Sequence, residues 1–328
     1  MKNLTYVYIN STMGSMKEIS KDSNFTFIFD NLLLSILIVI MFAIGCEISW
    51  VEVKNHIKHP LGIGIGMVSQ FFIIPLTTYT LLRSCGVKGH HATGVLIISC
   101  CCGGMLSNVF AYFSDGNLSL SVAMTILLSL MALGMMPFNL WIYGNSFETD
   151  DLIIPYGRVA LHLVFILVPI IGGKLLRWKF PDTYKFFTRV AKYIGFIGII
   201  FCIILIIIFF PRMFSSVPSN VRGILLMLPP LGLSLGYVLA YSFKQDMPVR
   251  KTIATECGIQ NVSTAIAIIT SSLEPEFQDS MLLLPWLYTF AVMSGGLIIC
   301  LLYQTSKLYN TLKAKKENGF NLEMLNVS

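Results

Sequence analysis

A carboxylate stands inside a long apolar stretch near the C-terminal end of the chain. The stretch runs from about residue 247 to 272, and Glu256 is its one acidic residue. An ionised Glu inside a membrane span costs about 2.5 to 3.5 kcal/mol, so such residues usually mark ion or substrate pathways. Gly258, Gln260 and Asn261 follow it and are typical of an interrupted helix. A structural carboxylate, protonated or paired with a neighbour, is the alternative interpretation of Glu256.

A second polar interruption lies in another apolar stretch, at residues 100–108. Gly103 and Gly104 loosen the helix there, and Ser107 and Asn108 follow. Transporters built from inverted repeats often place discontinuous helices at matching positions in each half, with ions bound at the unwound segments. Oxygen ligands suit a small, hard cation, and irregular backbone inside a membrane is tolerated where it lines a cavity. The two interruptions therefore predict a Na⁺ pathway.

These polar side chains also have a simpler explanation, because Ser, Asn and Gln commonly join membrane helices by hydrogen bonds alone.

Three consecutive cysteines at 100–102 lack the ligand spacing of a zinc site. We therefore predict no cofactor and no metal site other than that for Na⁺.

The composition indicates an all-α polytopic membrane protein. Of the 328 residues, 55% are hydrophobic and 12% are charged, whereas soluble proteins carry about 25% charged residues. A membrane span needs roughly 20 apolar residues. The sequence contains nine such segments, at 25–47, 61–83, 91–113, 118–143, 152–174, 190–210, 221–243, 247–272 and 280–305. We expect a transporter domain at 25–305 between an extracellular tail, 1–24, and a cytoplasmic tail, 306–328.

The charges and glycosylation sequons predict the orientation. In the N-terminal tail, sequons begin at Asn3, Asn10 and Asn24. We expect glycosylation at Asn3 and Asn10, and none at Asn24, which lies too close to the membrane. Most of the 23 Lys and Arg residues fall in loops that nine spans place inside. The N-terminus is therefore expected outside and the C-terminus in the cytoplasm of a multi-pass plasma-membrane protein. The net charge of +6 then reflects topology and not nucleic-acid binding, and the basic tail is expected to contact anionic membrane lipid.

Five collinear segments together resemble one protein family. They are His-Ile-Lys-His-Pro-Leu-Gly at 56–62, Gln-Phe-Phe-Ile-Ile-Pro-Leu at 70–76, Cys-Cys-Cys-Gly-Gly-Met-Leu-Ser-Asn at 100–108, Ala-Leu-Gly-Met-Met-Pro at 132–137 and Glu-Cys-Gly-Ile-Gln-Asn at 256–261. The set resembles the bile acid:sodium symporter family, in its animal ileal, hepatic and steroid-sulfate-carrying branch. The resemblance covers most of the chain.

The resemblance implies an inverted-repeat transporter with two discontinuous crossing helices. Animal members of this family are thought to have nine transmembrane helices, which agrees with the count above. A core domain would comprise 61–143 and 221–305, and a panel domain 25–47 and 152–210. The implied activity is sodium-coupled import of an amphipathic organic anion, a bile acid or sulfated steroid, by alternating access.

The same resemblance implies two sodium sites that share Glu256. The first site would use Ser107, Asn108, Ser121 and Thr125, and the second would use Gln70, Gln260 and backbone carbonyls near Cys257 and Ile259. Ser121 and Thr125 are four residues apart and so lie on one helical face. The residues that break the helices would be Gly103, Gly104, Gly258 and Asn261.

Three residues depart from the family pattern. Cys102 replaces a usual Pro, Met105 replaces a small or hydroxyl residue, and Cys257 replaces Thr or Ser. They leave open a second interpretation, a non-transporting membrane receptor or sensor that retains the transporter fold. A channel is disfavoured because no repeated carbonyl filter motif is present, and an enzyme because the spans offer no set of nucleophile, base and orienting residue. The sequence also leaves open whether the chain forms a homodimer.

Overall fold

The computed structural model describes residues 60–147, 156–180, 216–273, 277–278 and 280–296, together with isolated residues near 35–46 and 58, at 186, 190, 204 and 298, and within 303–307. This part of the chain is helical, and its one β-bridge joins Gly103 to Gln260. The predicted spans at 25–47 and 190–210 lie mostly outside the described residues. The sequons at Asn3, Asn10 and Asn24 and the tail after residue 307 lie wholly outside them.

The helices are numbered here in chain order within the described residues. They are α1 (Leu61–Ser84), α2 (Gly89–Cys100), α3 (Met105–Phe113), α4 (Leu118–Phe147), α5 (Tyr156–Lys179), α6 (Ser219–Ser242), α7 (Met247–Gly258), α8 (Val262–Ser272) and α9 (Ser280–Gly296).

Three of these helices, α1, α4 and α6, are long and apolar enough to cross a membrane. They coincide closely with the predicted spans at 61–83, 118–143 and 221–243. Large apolar side chains such as Phe72, Trp141 and Val238 are exposed on them. Such surfaces are suited to contact with membrane lipid, because a soluble protein rarely exposes extended apolar patches.

Helices α1 and α4 are not regular along their length. In α1 the segment Ser69–Ile73 forms a π-helical turn, and α4 passes from α-helix into a π turn at Leu140–Gly144. Pro137 lies inside α4 just before that turn, where its missing N–H and its ring disturb the helical hydrogen bonds. The π turn in α1 contains Gln70 and therefore matters for the site below.

Two helix pairs, α2 with α3 and α7 with α8, are interrupted halfway along. The backbone becomes extended at Cys101 and Gly104 in the first pair and at Ile259 in the second. Asn261 then caps α8, since its side-chain oxygen accepts a hydrogen bond of 3.2 Å from the N–H of Thr264. Residues 101–104 and 259–261 are thus the unwound segments of the two pairs.

The two unwound segments cross in the middle of the molecule. Besides the bridge between Gly103 and Gln260, the N–H of Asn261 donates to the carbonyl of Cys102 over 2.8 Å. Residues 92–104 and 252–261 are all buried. Because unpaired backbone groups are costly away from water, this pairing stabilises the interruptions where they cross.

Glycines let α6 approach α7 closely beside the second interruption. A Cβ on Gly232 would lie 2.5 Å from the carbonyl oxygen of Cys257, and one on Gly236 would lie 3.0 Å from the Cβ of Cys257. Small residues of this kind are typical of close helix contacts in membranes.

Candidate functional site

Glu256 lies in the last turn of α7 and is completely buried. Its Oε1 atom accepts hydrogen bonds from three hydroxyl groups, those of Ser107 at 3.0 Å, Ser121 at 2.8 Å and Thr125 at 3.0 Å. Ser107 belongs to α3, just beyond the first interruption, and the other two belong to α4. The carboxylate therefore joins both interrupted pairs and the long helix α4.

Two of these three hydroxyl groups also contact Asn108. Its Oδ1 atom lies 2.6 Å from the hydroxyl of Ser121 and 3.3 Å from that of Thr125. Thr125 further contacts the carbonyl of Ser121 at 3.0 Å, and Ser107 contacts that of Gly104 at 2.6 Å. Five of the predicted sodium ligands thus lie in one buried cluster, which we call the oxygen cluster: Ser107, Asn108, Ser121, Thr125 and Glu256.

The oxygen cluster has fewer hydrogens than its contacts require. Three hydroxyl groups take part in seven oxygen–oxygen contacts of hydrogen-bond length. Each hydroxyl supplies a single hydrogen, so at most three of the seven can be ordinary linear hydrogen bonds. A cation coordinated by these oxygens satisfies lone pairs for which the cluster has no hydrogen.

The second carboxylate oxygen of Glu256 has no donor among the residues that the structure describes. Oε2 is buried, lacks a hydrogen-bond partner within that part of the chain, and faces Gly103, where an added Cβ would lie 2.1 Å from it. Within the described part of the chain, no Lys or Arg forms an ion pair with Glu256. An ionised carboxylate buried without a cationic partner is energetically unfavourable, so Glu256 needs either a proton or a bound cation. A cation would also satisfy the surplus lone pairs of the oxygen cluster.

Gln70 and Gln260 form a second, neighbouring group. The amide nitrogen of Gln70 donates to the side-chain oxygen of Gln260 over 2.9 Å and to the carbonyl of Cys101 over 2.7 Å. The amide nitrogen of Gln260 donates to the carbonyl of Cys257 over 2.9 Å. No hydrogen bond connects this pair to Glu256 among the described residues, so the structure places the two predicted ligand sets side by side and does not join them.

The three departures from the family pattern lie next to the site. The thiol of Cys102 lies 3.4 Å from the hydroxyl of Ser129, which donates to the carbonyl of Thr125 over 2.6 Å. Cys257 is buried against Gly236. For Met105 only the backbone is described, at the start of α3. The first interruption is present although Cys102 stands where Pro was expected.

Two residues that the sequence analysis did not single out also contact the site. Asn139 donates from its amide to the carbonyl of Phe71, over 2.9 Å, inside the π turn that carries Gln70. The hydroxyl of Tyr288 lies between two backbone groups of the second interruption. Neither residue stands out in the sequence, because both lie within predicted spans and outside the two polar interruptions.

Comparison with known proteins points to one family. The family model described as the Sodium Bile acid symporter family matches residues 34–217. The ileal sodium/bile acid cotransporter of Mus musculus is 32% identical over 290 residues, which is 87% of this chain and 83% of that protein. The hepatic sodium/bile acid cotransporter of Homo sapiens is 31% identical over 292 residues, 87% of this chain and 82% of its own. The sodium-dependent organic anion transporter of Homo sapiens is 30% identical over 282 residues, which is 86% of this chain and 74% of that protein. The chain therefore belongs to the sodium bile acid symporter family, whose members are sodium-coupled membrane transporters and not enzymes.

Proposed function

We propose that this protein imports an amphipathic organic anion, a bile acid or a sulfated steroid, together with Na⁺ across the plasma membrane by alternating access. The observation that carries the proposal is the oxygen cluster, in which three hydroxyl hydrogens serve seven contacts around one buried carboxylate. Relatives that share about 30% of their residues with it are named as sodium-coupled carriers of bile acids and organic anions.

Two Na⁺ ions are proposed to bind at the crossing of the interrupted helices. The oxygen cluster would bind the first. Gln70 and Gln260 would bind the second, together with backbone carbonyls near Cys257 and Ile259 and the Oε2 atom of Glu256, which has no hydrogen-bond partner among the described residues. The two Gln side chains now donate to one another, so their amides would rotate to present both oxygens to the ion.

The proposed charges balance in a low-dielectric interior. Two Na⁺ ions offset the ionised Glu256 and a monoanionic substrate, and uncompensated buried charge is costly. Transport would carry one net positive charge inward. The resting potential would then favour uptake, by about 2.3 kcal/mol per charge per 100 mV.

The proposed architecture has nine transmembrane helices with an extracellular N-terminus and a cytoplasmic C-terminus. The two interrupted pairs would occupy matching positions in inverted repeats, as in other transporters with discontinuous helices. The core domain, 61–143 and 221–305, would hold Na⁺ and move against the panel domain, 25–47 and 152–210. The crossing described above supports this arrangement, because both interruptions meet at one point.

The function is tested by uptake into cells that express the protein. Radiolabelled taurocholate and a steroid sulfate are supplied in medium containing Na⁺ or choline, and we expect uptake only with Na⁺. In Glu256→Gln the carboxylate charge is lost while the shape is kept, so Na⁺-stimulated uptake should vanish. Asp246→Asn is the control carboxylate immediately before the same helix, because Asp246 is exposed and its side chain does not cap α7.

Surface biotinylation must show that each variant reaches the plasma membrane in similar amounts. Normal Na⁺-stimulated uptake by Glu256→Gln would contradict the assignment of Glu256. Equal uptake in Na⁺ and choline by the wild-type chain would contradict sodium coupling. A surface-expressed protein that binds Na⁺ and transports none of these anions would instead support the receptor alternative.

A further inference from the structure

We propose that Tyr288 is a positioning residue for sodium, whose single hydroxyl keeps the segment between α7 and α8 from closing into a continuous helix. The inference rests on the proposed function, since it concerns the ion site of that function. Tyr288 belongs to α9 and lies outside the five sequence segments that carry the family resemblance.

The hydroxyl of Tyr288 contacts two backbone groups on either side of Ile259. It donates to the carbonyl of Gly258 over 2.8 Å and accepts from the N–H of Gln260 over 3.1 Å. The side chain is 1% exposed, so water does not compete for these bonds. A phenol hydroxyl can both donate and accept, and here it does so within one short segment.

These are two backbone groups that an unbroken helix would pair differently. With i to i−4 bonding, the N–H of Gln260 would donate to the carbonyl of Glu256, and the carbonyl of Gly258 would accept from the N–H of Val262. Tyr288 provides a substitute partner for each. A buried peptide group without a partner is strongly disfavoured. By pairing with both groups, the hydroxyl stabilises the unwound segment inside the membrane.

The segment that Tyr288 contacts carries residues of both proposed ion sites. Glu256 lies just before it in α7, and Gln260 lies within it. Asn261 follows and pairs with Cys102 of the first interruption. Without the hydroxyl, the pairing with the first interruption is left to oppose shortening of the segment toward a helix, and such shortening would turn these side chains away from the ion. The effect should therefore appear in the response to Na⁺ and not in the affinity for the anion.

The test is Tyr288→Phe, which removes the hydroxyl and keeps the ring. Tyr112→Phe is the matched control, because Tyr112 is exposed on α3 and its hydroxyl makes no hydrogen bond within the described part of the chain. Uptake of taurocholate is measured over a range of Na⁺ concentrations, and the KM for taurocholate at saturating Na⁺. Loss of the hydroxyl should raise the half-saturating Na⁺ concentration by roughly five- to tenfold. The KM for taurocholate should change less than twofold.

A merely structural role would give a different result. It would lower the amount of protein at the surface and leave the half-saturating Na⁺ concentration unchanged, and that outcome would overturn the proposal. The conservative variant keeps the packing of the ring, so a change in Na⁺ response at normal surface abundance reports on the hydroxyl.

A second measurement separates this proposal from the proposed transport function. The thermal midpoint of the purified protein in detergent is followed as NaCl replaces choline chloride. If the wild-type chain transports none of the anions but is stabilised by Na⁺, the transport proposal fails while Tyr288→Phe should still need more Na⁺ for the same stabilisation. An equal Na⁺ response in both proteins would overturn the role of Tyr288, and no Na⁺ response in the wild-type chain would overturn both proposals.

Discussion

At the scale of single residues, the site depends on the absence of side chains as much as on their presence. Gly103 faces the carboxylate of Glu256, and Gly104 lies against Asn261, where an added Cβ would be 3.1 Å from the side-chain Cγ. The two unwound segments are paired through their backbones, so neither can easily move away to make room for an added side chain. From the sequence, the Gly-Gly pair is expected to loosen the helix. In the structure it also provides the space in which the carboxylate fits.

Gly103→Ala should therefore impair sodium coupling severely. A Cβ at this position would lie 2.1 Å from Oε2 of Glu256 and 3.1 Å from its Cδ, so the carboxylate would have to move out of the oxygen cluster. Overpacking of this kind costs about 1 to 3 kcal/mol, or roughly a five- to 150-fold loss of Na⁺ affinity. The measurement is the Na⁺ dependence of taurocholate uptake, normalised to surface protein.

Gly134→Ala is the matched control for that substitution. Gly134 lies inside α4, and an added Cβ would meet no atom of the described residues within 4 Å. Ala is also more favourable than Gly in a helix, by roughly 0.5 to 1 kcal/mol. We expect an unchanged Na⁺ dependence for this control. A normal half-saturating Na⁺ concentration in Gly103→Ala would show that the carboxylate is free to move, contrary to the geometry.

At the scale of elements, irregular helix geometry places the ligands. The π turn at Ser69–Ile73 directs Gln70 toward the carbonyl of Cys101 in the first interruption. A π turn disturbs the regular pairing of backbone groups and is frequent at functional sites. Asn139, at the end of the α-helical part of α4, donates to the carbonyl of Phe71 within that turn. One side chain of α4 thus supports a distortion of α1.

Asn139→Leu should destabilise the π turn and weaken the response to Na⁺. It leaves the carbonyl of Phe71 without the Asn139 donor, and a buried unsatisfied group costs about 1 to 3 kcal/mol. The thermal midpoint in detergent should fall, and the half-saturating Na⁺ concentration should rise because Gln70 is no longer fixed. Thr80→Val is the control, since Thr80 is exposed and its hydroxyl donates locally to the carbonyl of Leu76 on α1. An equal thermal midpoint for the wild-type protein and Asn139→Leu would contradict this role.

The sequence predicted some of these elements and not others, for a physical reason. The long apolar helices and the polar, glycine-containing interruptions are visible because their signals lie within one short stretch. The π turn is not, because Ser-Gln-Phe-Phe-Ile contains no residue that breaks a helix. Asn139, which donates to the π turn, lies 68 residues from its partner in the sequence. Tyr288 lies 28 and 30 residues from its two partners at the second interruption. Four of the proposed ligands stand out in the two interruptions themselves: Ser107, Asn108, Glu256 and Gln260. Gln70, Ser121 and Thr125 follow only from the family resemblance, and the sodium-binding role of the whole set stays a prediction.

At the scale of the whole molecule, a polar network joins two distant parts of the chain at the end that we propose is cytoplasmic. Asp115, in the turn between α3 and α4, accepts hydrogen bonds from Lys307 at 2.5 Å and from Tyr303 at 3.0 Å. Lys251 of α7 donates to the hydroxyl of Tyr303 and to the carbonyl of Ser114, each over 2.8 Å. The network thus connects the chain beyond α9 with both interrupted helix pairs.

The ionisation of this network determines its pH dependence. The hydrogen bond from Lys307, with that from Tyr303, lowers the pKa of Asp115, and the partner Asp115 raises the pKa of Lys307. A carboxyl with a lowered pKa contributes stability above its unfolded pKa of about 3.9 and loses it as the pH falls through the folded value. An ammonium with a raised pKa contributes below its unfolded value of about 10.4 and loses it as the pH rises through the folded value. The network should therefore be insensitive to pH across the physiological range.

Asp115→Asn tests whether this network stabilises the molecule. Asp115 has a positive φ of 55°, which Asn tolerates well, so the substitution removes the charge without adding backbone strain. We expect a small fall in the thermal midpoint that is constant between about pH 5.5 and 8 and disappears toward the pH at which Asp115 itself is protonated. Because Asp115 and Lys307 are exposed, added salt should screen the pair and reduce the difference in thermal midpoint between the wild-type protein and the variant.

The control Asp246→Asn should show neither the fall in thermal midpoint nor its dependence on salt. A difference that persists unchanged in high salt would mean that Asp115 acts through the turn geometry, and the ion pair would then contribute nothing to joining the two parts of the chain.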